Sequence, residues 1–232
     1  TLFRSGEAVS VWPEKWPTAY LLGIQHTRSY AKNFLNEPVA TDGDYWTPET
    51  FRYGREDPAQ PCTRRILSVD PAVTTKKTSD FSGLAVVGFA PAHARAEAKC
   101  YVRRAWRVKK TGAALRAEVL KALEADPTIT HVLVETNQGG EMWDDVFHDL
   151  PCRMLSKHNT VKKEVRAAEC VSHYERGAVL HEEEMPDAER EMCAFPKAPH
   201  DDVVDAVDNA VNRLLKKRPP QKRAGATSRS YS

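Results

Sequence analysis

The chain has 232 residues, with 34 Lys and Arg, 32 Asp and Glu and 41% apolar residues, which is typical of a folded soluble domain. No run of 18 apolar residues and no signal-peptide pattern occurs, which argues against a membrane-spanning or secreted class. Five cysteines without a C-x-x-C pair argue against a disulfide framework and a zinc knuckle. The first residue is Thr1 rather than methionine, so we expect the chain to be part of a longer protein.

The net charge of +2 conceals a strong asymmetry along the chain. Residues 216–232 carry six basic residues and no acidic one, whereas residues 1–215 carry 28 basic and 32 acidic residues. A basic tail on an acidic body suggests a polyanion held near a site that is itself acidic. A solvated linker is the alternative interpretation of the same tail.

The first 58 residues form a loop-rich arm with three tryptophans, several prolines and a predicted helix over 18–35. We expect a connector that packs on the body through its aromatic side chains rather than an independent domain. The domain prediction is therefore an arm at 1–58, a body at 59–215 and a flexible basic tail at 216–232.

The body alternates apolar strand patterns with amphipathic helix patterns. Three strands joined by short turns favour antiparallel pairing, and the later alternation of helix and strand favours parallel pairing. Together they predict an α/β fold with a mixed sheet and helices on both faces. The predicted strands are 64–70, 82–90, 99–108, 130–136, 152–155 and 178–181, and the predicted helices are 111–125, 141–150, 160–176 and 200–216, with an irregular stretch before the last helix.

Two predicted strands end in a carboxylate, Asp70 after I-L-S-V and Glu135 after H-V-L-V. If these strands are parallel neighbours, their ends lie about 5 Å apart. Open α/β sheets bind ligands beyond the carboxyl ends of their strands. Two carboxylates this close repel each other unless a proton or a cation lies between them.

A third acidic group, Asp201 and Asp202, opens the last helix, whose apolar stripe must pack on the same sheet. Carboxylates without His or Cys partners favour Mg²⁺ or Mn²⁺ over zinc. Two such ions can activate a water and stabilise the leaving oxygen in phosphodiester hydrolysis. The residues therefore indicate a metal-dependent nuclease.

Each acid also has a structural interpretation. Asp70 before Pro71 could form a turn, Glu135 could pair with a surface Lys or Arg, and one aspartate of the 201/202 pair could cap the helix. Asp205 and Asp208 are interpreted as a solvated helix edge, Asp80 as a turn residue and His200 as a loop histidine. No G-x-x-x-x-G-K-[ST] motif occurs, so ATP hydrolysis is not expected from this chain.

Four motifs follow one another along the body: S-V-D-P-A at 68–72 followed by S-D-F at 79–81, V-E-T-N-Q-G-G at 134–140, K-K-E-V-R-A at 162–167 and H-D-D-V-V-D-A at 200–206. In this order they resemble the ribonuclease H-like fold and, more narrowly, the C-terminal nuclease domain of the large terminase subunit of tailed phages. W-P-E-K-W and F-L-N-E-P-V in the arm also resemble the segment that joins the terminase ATPase to its nuclease, so the resemblance spans nearly the whole chain.

The resemblance implies that Asp70, Glu135 and one of Asp202 and Asp201 bind two divalent ions, Mg²⁺ or Mn²⁺, with Asp202 preferred. It implies cleavage of concatemeric double-stranded viral DNA during genome packaging, in the host cytoplasm. Phosphate contacts are implied for a basic element made of Lys162, Lys163 and Arg166; a solvated helix face is the alternative. An N-terminal ATPase domain, the portal and the small terminase subunit are the implied partners.

Two other functions stay open from the sequence. A junction resolvase or a transposase-like domain would use the same acidic triad on another DNA substrate. A non-catalytic DNA-docking module would use the carboxylates only to cap and bridge, and would show no metal-dependent cleavage.

Overall fold

The structure is a computed structural model, and it describes residues 2–4, 7–25, 30, 34, 45–73, 81–94 and 96–216. Within these ranges the strands are β1 Leu2–Arg4, β2 Glu7–Val9, β3 Arg64–Asp70, β4 Ser82–Ala90, β5 Lys99–Val108, β6 His131–Glu135, β7 Arg153–Lys157 and β8 Val179–His181. The helices are α1 Thr18–Ile24, α2 Gly112–Ala125, α3 Met142–Val146, α4 Lys163–Glu175, α5 Pro186–Ala194 and α6 Asp202–Leu215. None of these helices combines the length and apolar composition that a membrane span needs.

Six strands form one mixed sheet in the order β7-β6-β3-β4-β5-β8. The first three strands of the body pair antiparallel, β3 with β4 and β4 with β5, and the later strands add in parallel, β6 to β3, β7 to β6 and β8 to β5. Strands β1 and β2 form a separate antiparallel pair in the arm, which the sequence did not predict. The predicted α/β fold with a mixed sheet is confirmed.

The sheet has a hydrophobic core on each face because its strands alternate apolar side chains to both sides. On one face, Ile66 and Leu133 pack against α4, α5 and α6, together with Trp46 and Phe51 of the arm. On the other face, the core contains Leu115 and Val119 of α2, Trp143 of α3 and Phe147 directly after α3. Helices therefore cover both faces, as predicted.

Helix α5 corrects the prediction of an irregular stretch between 181 and 200. It begins at Pro186, and acidic residues occupy its first turn, which is a common helix start. Its buried residues Ala188, Glu191 and Met192 follow helical spacing, but one of them is charged. An apolar pattern alone therefore did not reveal the helix.

Candidate active site

Carboxylates from three separate elements meet at one end of the sheet. Asp70 ends β3 and Glu135 ends β6, and these strands are parallel neighbours with Val69 opposite Val134. The start of α6 lies against the same end. One cavity of about 280 Å³ is lined there by Asp70, Glu135, Asp201, Asp202 and Asp205, together with Asn137, Gln138 and Lys163. The convergence predicted for Asp70, Glu135, Asp201 and Asp202 is therefore what the structure shows.

Gly83 allows α6 to begin this close to the sheet. It lies on β4 directly opposite Asp70 of β3. A Cβ atom at this position would lie 1.9 Å from the carbonyl oxygen of Asp202. No side chain fits between β4 and α6 at this position, so the absence of one at Gly83 sets where the acidic turn of α6 lies relative to Asp70.

Two cationic side chains of α4 engage the acids of α6. Lys163 Nζ lies 2.6 Å from Asp201 Oδ2 and also forms an ion pair with Asp205. Arg166 Nη2 lies 2.5 Å from Asp205 Oδ1, and its Nη1 lies 3.6 Å from Glu135 Oε2. These ion pairs neutralise part of the negative charge of the cavity.

Polar side chains one and two turns further along α6 contact Glu135 and Arg166 and hold them in place. Asn209 Nδ2 donates to Glu135 Oε2 at 2.6 Å, and Lys157 of β7 donates to Asn209 Oδ1. Asp208 is fully buried, and its Oδ2 lies 3.6 Å from Arg166 Nε. Glu135 and Arg166 are thus each held by a side chain of α6.

Burial and the concentration of negative charge raise the pKa values of the acids in the cavity. Burial, followed by the charges of Asp205 and Glu135, raises the pKa of Asp70 well above its usual range. Burial, with the charges of Glu191 and Asp201, raises the pKa of Asp202 to about 7. Burial raises the pKa of Asp205 to about 6 despite the opposing effect of Lys163. Cations bound among these groups would relieve the repulsion.

Glu191 of α5 stabilises the first turn of α6. Its Oε1 accepts a hydrogen bond from the backbone amide of Val203 at 2.7 Å, and its Oε2 pairs with Arg107 of β5 at 3.0 Å. A carboxylate at a helix N-terminus satisfies free amide groups and interacts favourably with the helix dipole. No sequence pattern indicated this role, because Glu191 lies in the stretch predicted to be irregular.

Three interpretations made from the sequence need correction. Asp205 and Asp208 are not a solvated helix edge, since they are 7% and 0% exposed. Asp201 occupies the N-cap position, but its side chain makes no capping hydrogen bond and pairs with Lys163 instead. Arg166 is 8% exposed and faces the carboxylates, so it is not placed for the predicted direct phosphate contact.

The remaining predicted residues have varied positions. Lys162 is exposed immediately before α4, and Gly139 of the V-E-T-N-Q-G-G motif has a positive φ of 84°. His200 packs edge-on against Phe81 with ring centroids 4.9 Å apart. Asp80 and the tail from residue 217 onward lie outside the described residues.

A hard divalent cation fits this site by donor chemistry, since five carboxylates line the cavity. Asp202 Oδ2 is buried without a hydrogen-bond partner among the described residues, so it is available as a ligand. As the described side chains stand, no three Asp, Glu, His or Cys residues converge tightly enough to hold an ion. In the structure, Lys163 and Arg166 contact oxygens of Asp201 and Asp205 that a cation would need.

Residues 67–214 match the family model described as the terminase RNaseH-like domain, which covers more than half of the chain and contains every carboxylate of the cavity. The chain belongs to the terminase ribonuclease H-like family. The family predicted from the sequence motifs is thus confirmed. No curated protein matches this terminase domain.

Solved structures of two phage proteins are similar to this terminase domain. The large terminase of a thermophilic bacteriophage superimposes with a TM-score of 0.54 at 14% identity, covering 74% of this chain and 44% of that one. The same large terminase in complex with ADP gives 0.51, covering 68% and 41%. The large terminase nuclease of thermophilic phage G20c gives 0.44 at 14% identity, covering 70% and 91%. At 14% identity the likeness to the first protein shows the fold, and this chain spans less than half of that protein's length.

Proposed function

We propose that this domain is the nuclease of a phage large terminase, a divalent-metal-dependent endonuclease that cuts concatemeric double-stranded DNA during genome packaging. The observation that carries the proposal is the convergence of five carboxylates from β3, β6 and α6 on one cavity at the carboxyl end of the sheet. Membership in the terminase ribonuclease H-like family supports a nuclease role in packaging.

Asp70, Glu135, Asp202 and Asp201 are the proposed ligands of two Mg²⁺ or Mn²⁺ ions, and we add Asp205 as a further candidate because it lines the same cavity. Such ions would activate a water and stabilise the leaving oxygen of the scissile phosphodiester. The protein's own part would be to hold these carboxylates in place.

The surrounding side chains have distinct tasks in this proposal. Asn209 fixes the carboxylate of Glu135 through its 2.6 Å hydrogen bond, and Arg166 balances the charge of Glu135 and Asp205 from inside the protein. Lys163 borders the cavity and Lys162 is exposed beside it, so these two are the proposed phosphate contacts.

The proposed partners follow from the length of the similar large terminase. That protein is more than twice as long as the matched part of this chain, and one of its structures contains ADP. We propose that an N-terminal ATPase domain precedes this nuclease in the whole protein, joined through the arm at 1–58. The portal, the small terminase subunit and a host cytoplasmic location belong to the same proposal.

Nicking of supercoiled plasmid tests the proposed function. The wild-type chain is incubated with Mn²⁺, Mg²⁺ or EDTA, next to Asp70→Asn and Glu135→Gln. We expect nicking with either metal, none in EDTA, and a loss of at least about 100-fold in both variants. Asp149→Asn is the matched control, because Asp149 is an 88% exposed carboxylate outside the cavity.

Thermal melting of each variant shows whether it is folded. Nicking in EDTA, or nicking at wild-type rate in folded Asp70→Asn or Glu135→Gln, would contradict the proposal. A folded wild-type chain that binds DNA without cutting it in either metal would favour a non-catalytic docking module.

A further inference from the structure

A cluster of basic side chains lies at the end of the sheet opposite the acidic cavity. Arg64 begins β3, His131 begins β6 and Arg153 begins β7, three neighbouring parallel strands. The register places His131 opposite both Ile66 and Arg153. Since Arg64 and Ile66 are two residues apart, the side chains of Arg64, His131 and Arg153 point to the same face of the sheet.

That face is the one that α6 covers. Ile66 and Leu133 belong to the core beneath α6. Arg64 lies two residues before Ile66 and His131 two residues before Leu133, so their side chains point to the same face of the sheet. Helix α6 starts at Asp202 beside the cavity and ends at Leu215, a length of about 21 Å. Its last turn therefore brings Arg213, and the following Lys216, to the amino ends of the strands.

Basic pole is our name for the four cationic residues Arg64, Arg153, Arg213 and Lys216. Among the described residues, neither Arg64 nor Arg153 takes part in an ion pair. After burial, the charges of Arg64, Arg153 and Arg213 lower the pKa of His131. The two strand arginines thus add positive charge to this end of the sheet without a local acidic partner in the described part of the chain.

The basic residues on α6 have a structural role as well, because cations are favourable at the C-terminus of a helix. That role does not account for Arg64 and Arg153, which lie on strands. Arg153 is exposed on the edge strand β7, where a large ligand can reach it. The chain continues from Lys216 with five more basic residues and no acidic one.

We propose that the basic pole is a second contact surface for the phosphate backbone of duplex DNA, separate from the cleavage cavity. The inference takes the identity of its ligand from the proposed function. Duplex DNA carries one negative charge per about 1.7 Å, and arginine side chains match phosphate geometry. A second contact, about 20 Å from the acids, would hold the duplex on the domain, because the acidic cavity itself repels the phosphates.

Binding of a fluorescein-labelled duplex of about 30 base pairs in EDTA tests this surface without cleavage. Fluorescence anisotropy at several salt concentrations gives the affinity and its salt dependence for wild type, Arg64→Gln/Arg153→Gln and Arg153→Gln. Each lost phosphate contact should flatten the slope of log K against log salt by about 0.9 and weaken binding several-fold at about 0.1 M salt. Arg190→Gln is the matched control, since Arg190 is 76% exposed and pairs with Asp187 on α5.

The single variant keeps the test decisive if the double variant fails to fold, because Arg153 is exposed. Wild-type affinity and slope in folded Arg153→Gln and in a folded double variant would overturn the proposal. So would a wild-type chain that does not bind the duplex. A concentration-dependent dimer that these variants dissociate, with DNA affinity unchanged, would also overturn it and would identify a second copy of the chain as the occupant.

The two proposals fail separately in these experiments. A wild-type chain that binds the duplex normally but does not nick DNA in either metal would contradict the nuclease proposal and leave the proposal for the basic pole standing. Normal nicking with unaltered duplex binding in the variants would remove the basic pole and leave the nuclease.

Discussion

Substitution of Gly83 by alanine should displace the acidic turn of α6 without removing any carboxylate. The new Cβ would lie 1.9 Å from the carbonyl oxygen of Asp202 and 2.4 Å from its carbonyl carbon. An ordinary contact between carbon and oxygen is about 3.3 Å, so the helix start must move by roughly 1.4 Å. Overpacking of this kind costs about 1–3 kcal/mol of stability, and misplacement of a site by about 1 Å costs about 100-fold in rate.

The control for this variant is Gly88→Ala on the same strand. A Cβ there would lie 2.8 Å from Cys62 Sγ, at the far end of a side chain that can turn away. Calorimetric Mn²⁺ titration, plasmid nicking and thermal melting of both variants separate the effects. We expect weaker Mn²⁺ binding and nicking in Gly83→Ala below its melting temperature, and near wild-type values in Gly88→Ala. Unchanged Mn²⁺ affinity and nicking in Gly83→Ala would refute the link between this contact and the site.

Three further predictions concern Lys163, the basic tail and His173. Lys163→Gln removes a cation that competes with metal for Asp201 and Asp205. Calorimetry should show Mn²⁺ binding tighter by about tenfold, since a charge-assisted hydrogen bond contributes about 1.5–3 kcal/mol. Equal or weaker Mn²⁺ affinity would contradict the competition. Deletion of residues 216–232 should weaken duplex binding and flatten its salt slope by up to about 5, and unchanged affinity at low and high salt would remove the tail from DNA binding. Burial lowers the pKa of His173 to about 4 in the folded chain. In the unfolded chain His173 takes up its proton near pH 6.5, so the free energy of unfolding decreases as the pH is lowered from about 6.5 to about 4, by about 3 kcal/mol at most. Urea unfolding across that range should show a smaller fall in His173→Gln, and an equal fall would exclude His173 as the cause.

The strands and the two strand-end acids were predictable because burial leaves a direct trace in the sequence. Strands β3, β4 and β5 have the predicted bounds, since each is a run of mostly apolar or alternating residues. Asp70 and Glu135 each end such a run, and parallel neighbours bring their ends together. Nothing beyond this topology was needed to place the two acids at one edge.

The polar face of α6 was not predictable in the same way. Its apolar stripe is clear, and the pattern assigns the remaining positions, including Asp205 and Asp208, to solvent. In the structure α4 covers that second side, with Arg166 as the partner of both acids. The repeat of polar residues at 202, 205, 209 and 212, three or four positions apart, was the available signal for a buried polar face.

The nuclease proposal requires that the carboxylates of β3, β6 and α6 together bind divalent metal. Crystals of the chain grown with Mn²⁺ and measured at the manganese absorption edge show directly whether they do. We predict anomalous-difference peaks in the cavity, within about 2.5 Å of oxygens of Asp70 and Glu135, that disappear in Asp70→Asn. Manganese bound only elsewhere, or no peak at saturating Mn²⁺, would contradict the proposal.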